Sequence, residues 1–359
     1  MTQLKPQPGI MDIALYVGGK AHLDGVQDVL KLSSNENPLG PSPAGLAAYQ
    51  GSTDLHRYPS TDHADLRAAI GATWGLEPER IICGVGSDEV LQFVTQAFAG
   101  PGDEIIHTEH GFSLYPILIR MAGATPVCVP ERERVVDVDE ILAAVTDRTR
   151  LVLLTNPGNP TGTILPDADL RRLADGLPED VILVIDSAYA EYAEGYDGGV
   201  SLARDRQNVL MTRTFSKIYG LGGLRIGWGY ADAGMIDVMT RIRQPFNLSN
   251  AQLNAAEAAV RDRTWPDRCA ALNAEQRGRL TGALRQLGLG CDDSHANFVL
   301  ARFADEEIAI AADAALQADG IIVRRATNYG FANALRITVG DADQTGRVIA
   351  ALTRWSEGA

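Results

Sequence analysis

Five consecutive apolar residues, Val181-Ile182-Leu183-Val184-Ile185, run directly into an acid, Asp186. A strand apolar at every position is buried on both faces, as strands are in a parallel sheet covered by helices. Further strand-like runs lie at 80–84, 104–108, 126–129, 150–155, 208–213 and 224–229. Helix-like stretches at 87–99, 113–122, 138–145 and 168–175 separate them. This alternation predicts an α/β fold with a mostly parallel sheet flanked by helices.

Beyond about residue 243 the texture changes. Ala-rich helical patterns at 251–261 and 267–287 precede strands at 297–302, 321–324 and 335–339, a helix at 305–319 and a closing helix from 341. The expected organisation is an arm (1–30) packing on the small domain or a partner, a large α/β domain (31–245) and a small α+β domain (246–359). Charge excludes some functions: 32 Lys+Arg against 46 Asp+Glu give a net −14, which disfavours nucleic acid and anionic membranes as partners. No apolar run reaches the ~18 residues of a membrane span, and residues 1–20 lack the apolar centre of a signal peptide. Four scattered cysteines point to a reducing, cytoplasmic setting. Six histidines without metal-ligand spacing argue against a metal site.

Only four of the basic residues are lysines, and Lys217 alone lies beyond residue 31. It sits in Thr214-Phe215-Ser216-Lys217-Ile218-Tyr219-Gly220, after a strand and before a Gly-rich turn that reaches Arg225. Apolar neighbours desolvate an amine, lower its pKa and make it a nucleophile toward carbonyls. A plain surface lysine is the alternative. Asp186 ends its buried strand where open α/β sheets bind ligands. It reads either as a helix cap or as the partner of a buried cationic ring nitrogen. Thr155-Asn156-Pro157-Gly158-Asn159-Pro160-Thr161-Gly162 is either a plain turn or a rigid loop aiming the Asn159 amide at an anionic oxygen. Gly84-Val85-Gly86-Ser87-Asp88-Glu89 is half a dinucleotide fingerprint, with Glu89 where a third Gly would stand. It still opens a helix whose free N–H groups suit a phosphate, with the Asp88 side chain facing away and its backbone contributing. Arg324-Arg325 and Arg336 lie in apolar strand patterns, where an arginine calls for an anion unless the strand is an exposed edge.

An amine, an acid, an amide, a phosphate cradle and a carboxylate-binding arginine are the parts a pyridoxal 5′-phosphate enzyme needs. The ordered set Ser34-Asn35-Glu36-Asn37-Pro38-Leu39-Gly40-Pro41, Arg57-Tyr58-Pro59, Gly86-Ser87-Asp88-Glu89, 156–162, Asp186-Ser187-Ala188-Tyr189, 214–225 and 335–339 resembles fold-type-I aminotransferases over nearly the whole chain. Within them it is most similar to the histidinol-phosphate aminotransferase family. The resemblance implies that Lys217 carries the cofactor and moves the substrate's α-proton. It implies that Asp186 pairs with the ring nitrogen and that Asn159 and Tyr189 bind the ring oxygen. Phe112 is then the stacking aromatic. Ser87, Asp88, Ser216 and Arg225 hold the phosphate, and Tyr58 reaches the cofactor of a second subunit in a homodimer. Arg336, Arg324, Tyr16 and Asn159 are the implied contacts to small substrates, glutamate and a phosphorylated imidazole compound. Aromatic amino-acid transamination and phospho-amino-acid decarboxylation stay open on the same scaffold. So does a protein that binds the cofactor without catalysis. The family often has Pro-Thr before the stacking aromatic, but this chain has His110-Gly111. His110 is therefore a ligand contact or a loop residue, and either Arg324 or Arg325 faces the site.

Overall fold

A computed structural model describes residues 5–15, 18, 20, 22–23, 25–26 and 28–358. Seven strands form its main sheet: β1 (Ile81–Gly84), β2 (Glu104–Thr108), β3 (Thr125–Val129), β4 (Thr149–Thr155), β5 (Ile182–Asp186), β6 (Val209–Thr214) and β7 (Gly227–Tyr230). The spatial order is β1-β7-β6-β5-β4-β2-β3. All neighbours run parallel except β7, which is antiparallel to both β1 and β6. The continuous apolar run of β5 has the expected cause. Leu183 and Ile185 face one core, and Ile182 and Val184 face another on the opposite side of the sheet. Helices on both faces close these cores.

β7 begins later than residue 224. Gly222–Leu224 form a 3-10 turn, and Arg225 takes a left-handed conformation (φ 54°) before the strand starts. Gly227 then passes so close to Ser87 that a Cβ would lie 2.1 Å from the Ser87 nitrogen. The close approach brings the β1 turn and the Lys217 turn together.

A second sheet has the order β8-β10-β9, from β8 (Phe298–Arg302), β9 (Arg324–Arg325) and β10 (Ala334–Thr338), all antiparallel. It has its own core, capped by helices Glu306–Ala318 and Ala342–Gly358 and joined by Leu30 and Leu32. The short strand Leu30–Lys31 pairs in parallel with Ile321–Ile322. Helix Asn250–Arg261 buries Ala255, Ala256 and Ala259 in a core of the seven-stranded sheet. Helix Thr264–Gln286 spans two cores, with Cys269 in the first and Leu280 and Leu284 in the second. No helix among the described residues is long and apolar enough to cross a membrane.

Candidate active site

The carboxyl ends of β4, β5 and β6 open into one cavity of about 210 Å³. Strand ends of this kind are where open α/β sheets place ligands. Lys217 lies just beyond β6, and its Nζ donates to the Ser34 carbonyl at 3.3 Å. Burial, then the nearby Arg336 charge, lowers its pKa to about 8. A free amine is therefore far more populated here than on a surface lysine.

Asp186 ends β5 and is 3% exposed. It accepts from Thr212 Oγ1 at 3.2 Å and from Tyr115 Oη at 3.3 Å, and among the described residues it has no ion pair. Burial, then the Asp88 charge, raises its pKa to about 7. A buried carboxylate without a cation is costly, so this position suits a ligand that brings a positive charge.

The loop after β4 is rigid for local reasons. Asn156 uses its side chain to bond both backbone groups of Leu165. The loop presents Asn159, whose Nδ2 donates to Tyr189 Oη at 3.3 Å. Asn35 Nδ2 donates to the same hydroxyl at 2.9 Å, so the Tyr189 proton is directed elsewhere.

Helix Ser87–Phe98 starts at Gly86, whose φ of 79° excludes most other residues. A Cβ there would lie 2.5 Å from Arg225 Nη2. Arg225 donates to Ser216 Oγ at 3.1 Å and pairs with Asp88 Oδ2 at 3.0 Å. The Asp88 side chain thus turns toward the cavity mouth, not away as expected, because Arg225 attracts it. Burial raises its pKa, with Arg225 and Lys217 opposing the shift. Free N–H groups at the helix start, the Ser87 and Ser216 hydroxyls and Arg225 together form an anion cradle.

On the far wall stand Arg336 and Arg324, paired in register on β10 and β9. Arg336 is 6% exposed and donates to Asn159 Oδ1 at 2.6 Å and to the Ser33 carbonyl at 2.8 Å. Neither partner carries charge, and among the described residues Arg336 has no carboxylate, which is the setting of a site for an anionic ligand. Arg325 points the other way and pairs with Glu306 at 2.8 Å. Phe112 also lines the cavity. Tyr58 does not: it is 81% exposed and stacks on Phe246 at 4.6 Å between ring centres. Tyr16 lies outside the described residues.

The family model for aminotransferase class I and II matches residues 27–352. The chain belongs to this family. It is 66% identical over 358 residues to a histidinol-phosphate aminotransferase of Ruegeria pomeroyi, covering 99% of each chain. It is 63% identical over 344 residues to one from Dinoroseobacter shibae, covering 96% of this chain and 95% of the relative. Among solved structures it resembles a histidinol-phosphate aminotransferase from Sinorhizobium meliloti in complex with pyridoxal-5′-phosphate. The TM-score is 0.92, with 28% identity and 99% of each chain covered.

Against this aminotransferase fold, the cavity gathers eleven of the expected residues: Lys217, Asp186, Tyr189, Asn159, Ser87, Asp88, Phe112, Ser216, Arg225, Arg324 and Arg336. Sequence reasoning left out Ser33, Ser34 and Asn35 as site residues, although two of them begin a matching motif. Asn35 holds a left-handed φ of 55°, which Asn tolerates better than most residues. It missed Tyr329 and Tyr115 as well, since a tyrosine in an apolar pattern looks like core until its hydroxyl is located.

Proposed function

We propose that the protein is a pyridoxal 5′-phosphate-dependent transaminase of histidine biosynthesis. It takes the amino group of glutamate and delivers it to imidazole acetol phosphate, forming 2-oxoglutarate and histidinol phosphate. One observation carries the reading: a buried arginine with only neutral partners, Arg336, shares a cavity with a depressed-pKa amine, Lys217. Near full-length similarity to the two named relatives supports the choice of substrate.

The residues fit the cofactor. Asp186 lacks a cation that a protonated ring nitrogen would supply. The cradle of Ser87, the Asp88 backbone, Ser216 and Arg225 would hold the phosphate, with Arg225 shared between it and the Asp88 carboxylate. Asp88, with its raised pKa, sits beside an anion more easily than an ordinary carboxylate. When bound, the cofactor supplies a cationic conjugated ring that stores the electron pair released with the substrate's α-proton.

The chain's residues do the rest. Asp186 holds the proton on the ring nitrogen. Tyr189 Oη, with Asn159, donates to the ring oxygen. Phe112 stacks on the ring face and keeps water from it. Lys217 Nζ takes the proton from the substrate α-carbon and returns it in the second half-reaction. Arg336 takes the α-carboxylate of glutamate with its planar fork, and takes the phosphate of histidinol phosphate together with Arg324.

The enzyme works as a homodimer in the cytoplasm, where its four free thiols stay reduced. Exposed Tyr58, Leu55 and Phe246 form an apolar patch that suits a second copy, and Tyr58 then contacts that copy's cofactor phosphate. The small domain begins inside helix Thr264–Gln286 rather than at 246, because residues up to 261 pack on the large core.

Comparing kcat/KM for histidinol phosphate and phenylalanine tests the substrate. Phenylalanine offers Arg336 a carboxylate but brings no phosphate for Arg336 and Arg324 to share, so preference for histidinol phosphate by orders of magnitude is expected. Equal values would overturn the assignment. Carbon dioxide release without 2-oxoglutarate formation would overturn transamination.

A further inference from the structure

The turn between β9 and β10 connects the two arginine-bearing strands, and its 3-10 segment Thr327–Tyr329 ends on a tyrosine. Tyr329 is 4% exposed and lines the cavity together with Arg324 and Arg336. Its hydroxyl accepts a hydrogen bond from Ser113 Oγ at 3.4 Å. Among the described residues it donates to none, so its own proton is available.

The opposite end of Tyr329 is held too. Its carbonyl lies 2.7 Å from His110 Nδ1. A carbonyl only accepts, so Nδ1 carries the hydrogen and donates it. The His110 ring also packs on Phe331, with centres 4.1 Å apart. One four-residue segment, 110–113, therefore grips both ends of Tyr329 and carries the cavity aromatic Phe112. His110, the departure from the family's usual Pro-Thr, is a loop residue that reaches across to the second sheet.

We propose that Tyr329 is a specificity-determining residue that donates to the phosphate of the phosphorylated substrate, and that His110 and Ser113 are positioning residues for it. This rests on the histidinol-phosphate reading. A phosphate monoester presents three terminal oxygens where a carboxylate presents two. Two arginine forks leave acceptor capacity over, and a neutral phenol fills it without repelling either guanidinium. A phenol held at both ends loses little side-chain freedom on binding.

The test compares histidinol phosphate with histidinol, which lacks the phosphate, in the cofactor-loaded enzyme. In Tyr329→Phe the ratio of kcat/KM values falls at least about tenfold, as losing a hydrogen bond to a charged group requires. The rise in Tm produced by saturating histidinol phosphate shrinks in parallel. His110→Ala lowers the same ratio, and His110→Asn, which keeps a donor amide, restores part of it. An unchanged ratio and Tm response in Tyr329→Phe overturn the proposal. Equal loss in the Ala and Asn variants overturns the clamp. Wild-type enzyme inert toward histidinol phosphate would overturn both this inference and the reading beneath it. A wild-type enzyme that prefers the phosphate while Tyr329→Phe keeps that preference would overturn this inference alone.

Discussion

Arg336 Nη1 donates to Asn159 Oδ1 at 2.6 Å, and this bond joins the second sheet to the loop after β4 of the first. It also orients the Asn159 amide, leaving Nδ2 to face Tyr189. Arg336→Ala is expected to cut kcat/KM at least about 100-fold for glutamate and histidinol phosphate alike, since a charge-assisted fork is lost. Arg336→Lys keeps the charge but not the planar fork, and recovers only part. Single-turnover rates for each half-reaction measure both. A loss confined to one substrate would contradict a shared anion site.

Asp186 makes the cofactor-free protein pH-sensitive. Its folded pKa, about 7, lies above the unfolded value, so the folded state holds the proton more tightly. That stabilisation is full below the unfolded pKa and is lost as pH rises through about 7. Asp186→Asn should therefore raise the Tm of cofactor-free protein more at pH 8 than at pH 5, while activity falls by orders of magnitude. Melting curves at the two pH values decide it, and equal shifts would refute the buried-charge account.

Burial lowers the Lys217 pKa to about 8, well below the ordinary lysine range. At pH 7.5 about a quarter of such amines are neutral, compared with about 0.1% of ordinary lysines. The rate at which cofactor-free protein captures pyridoxal phosphate covalently should rise with pH through a midpoint near 8 and level off about one pH unit above it. A profile still climbing toward pH 10 would show an unperturbed amine. Lys217→Ala should show neither covalent capture nor turnover.

Arg213 and Glu191 form a buried ion pair at 3.3 Å, with side chains 3% and 6% exposed. It ties the turn after Tyr189 to the strand that leads to Lys217, and the Arg213 guanidinium lies 4.2 Å from the Trp74 ring centre. Arg213→Met leaves a buried carboxylate without its cation and should cost about 3–5 kcal/mol in urea unfolding. Removing both charges with Glu191→Leu added should recover much of that. A double variant as unstable as the single one would place the cost in packing.

The sequence by itself determined the sheet. Its apolar runs are long enough to be buried on both faces, and the chemistry of Lys217, Asp186 and Asn159 falls at strand ends where local order already places it. It also supplied the two separate halves of the cradle, because Gly86-Ser87 and Arg225 each sit in a turn a few residues long. The tertiary structure decided what depends on contacts between distant segments. In-register pairing of β9 with β10 sets Arg324 beside Arg336 and sends Arg325 to Glu306. The approach of β7 to the β1 turn brings Arg225 to Asp88 and holds that carboxylate at the cavity mouth. Only the meeting of segments some 219 residues apart gives His110 its carbonyl and Tyr329 its place in the cavity. Strand alternation requires one of two neighbouring arginines to face inward, and non-local register alone selects which.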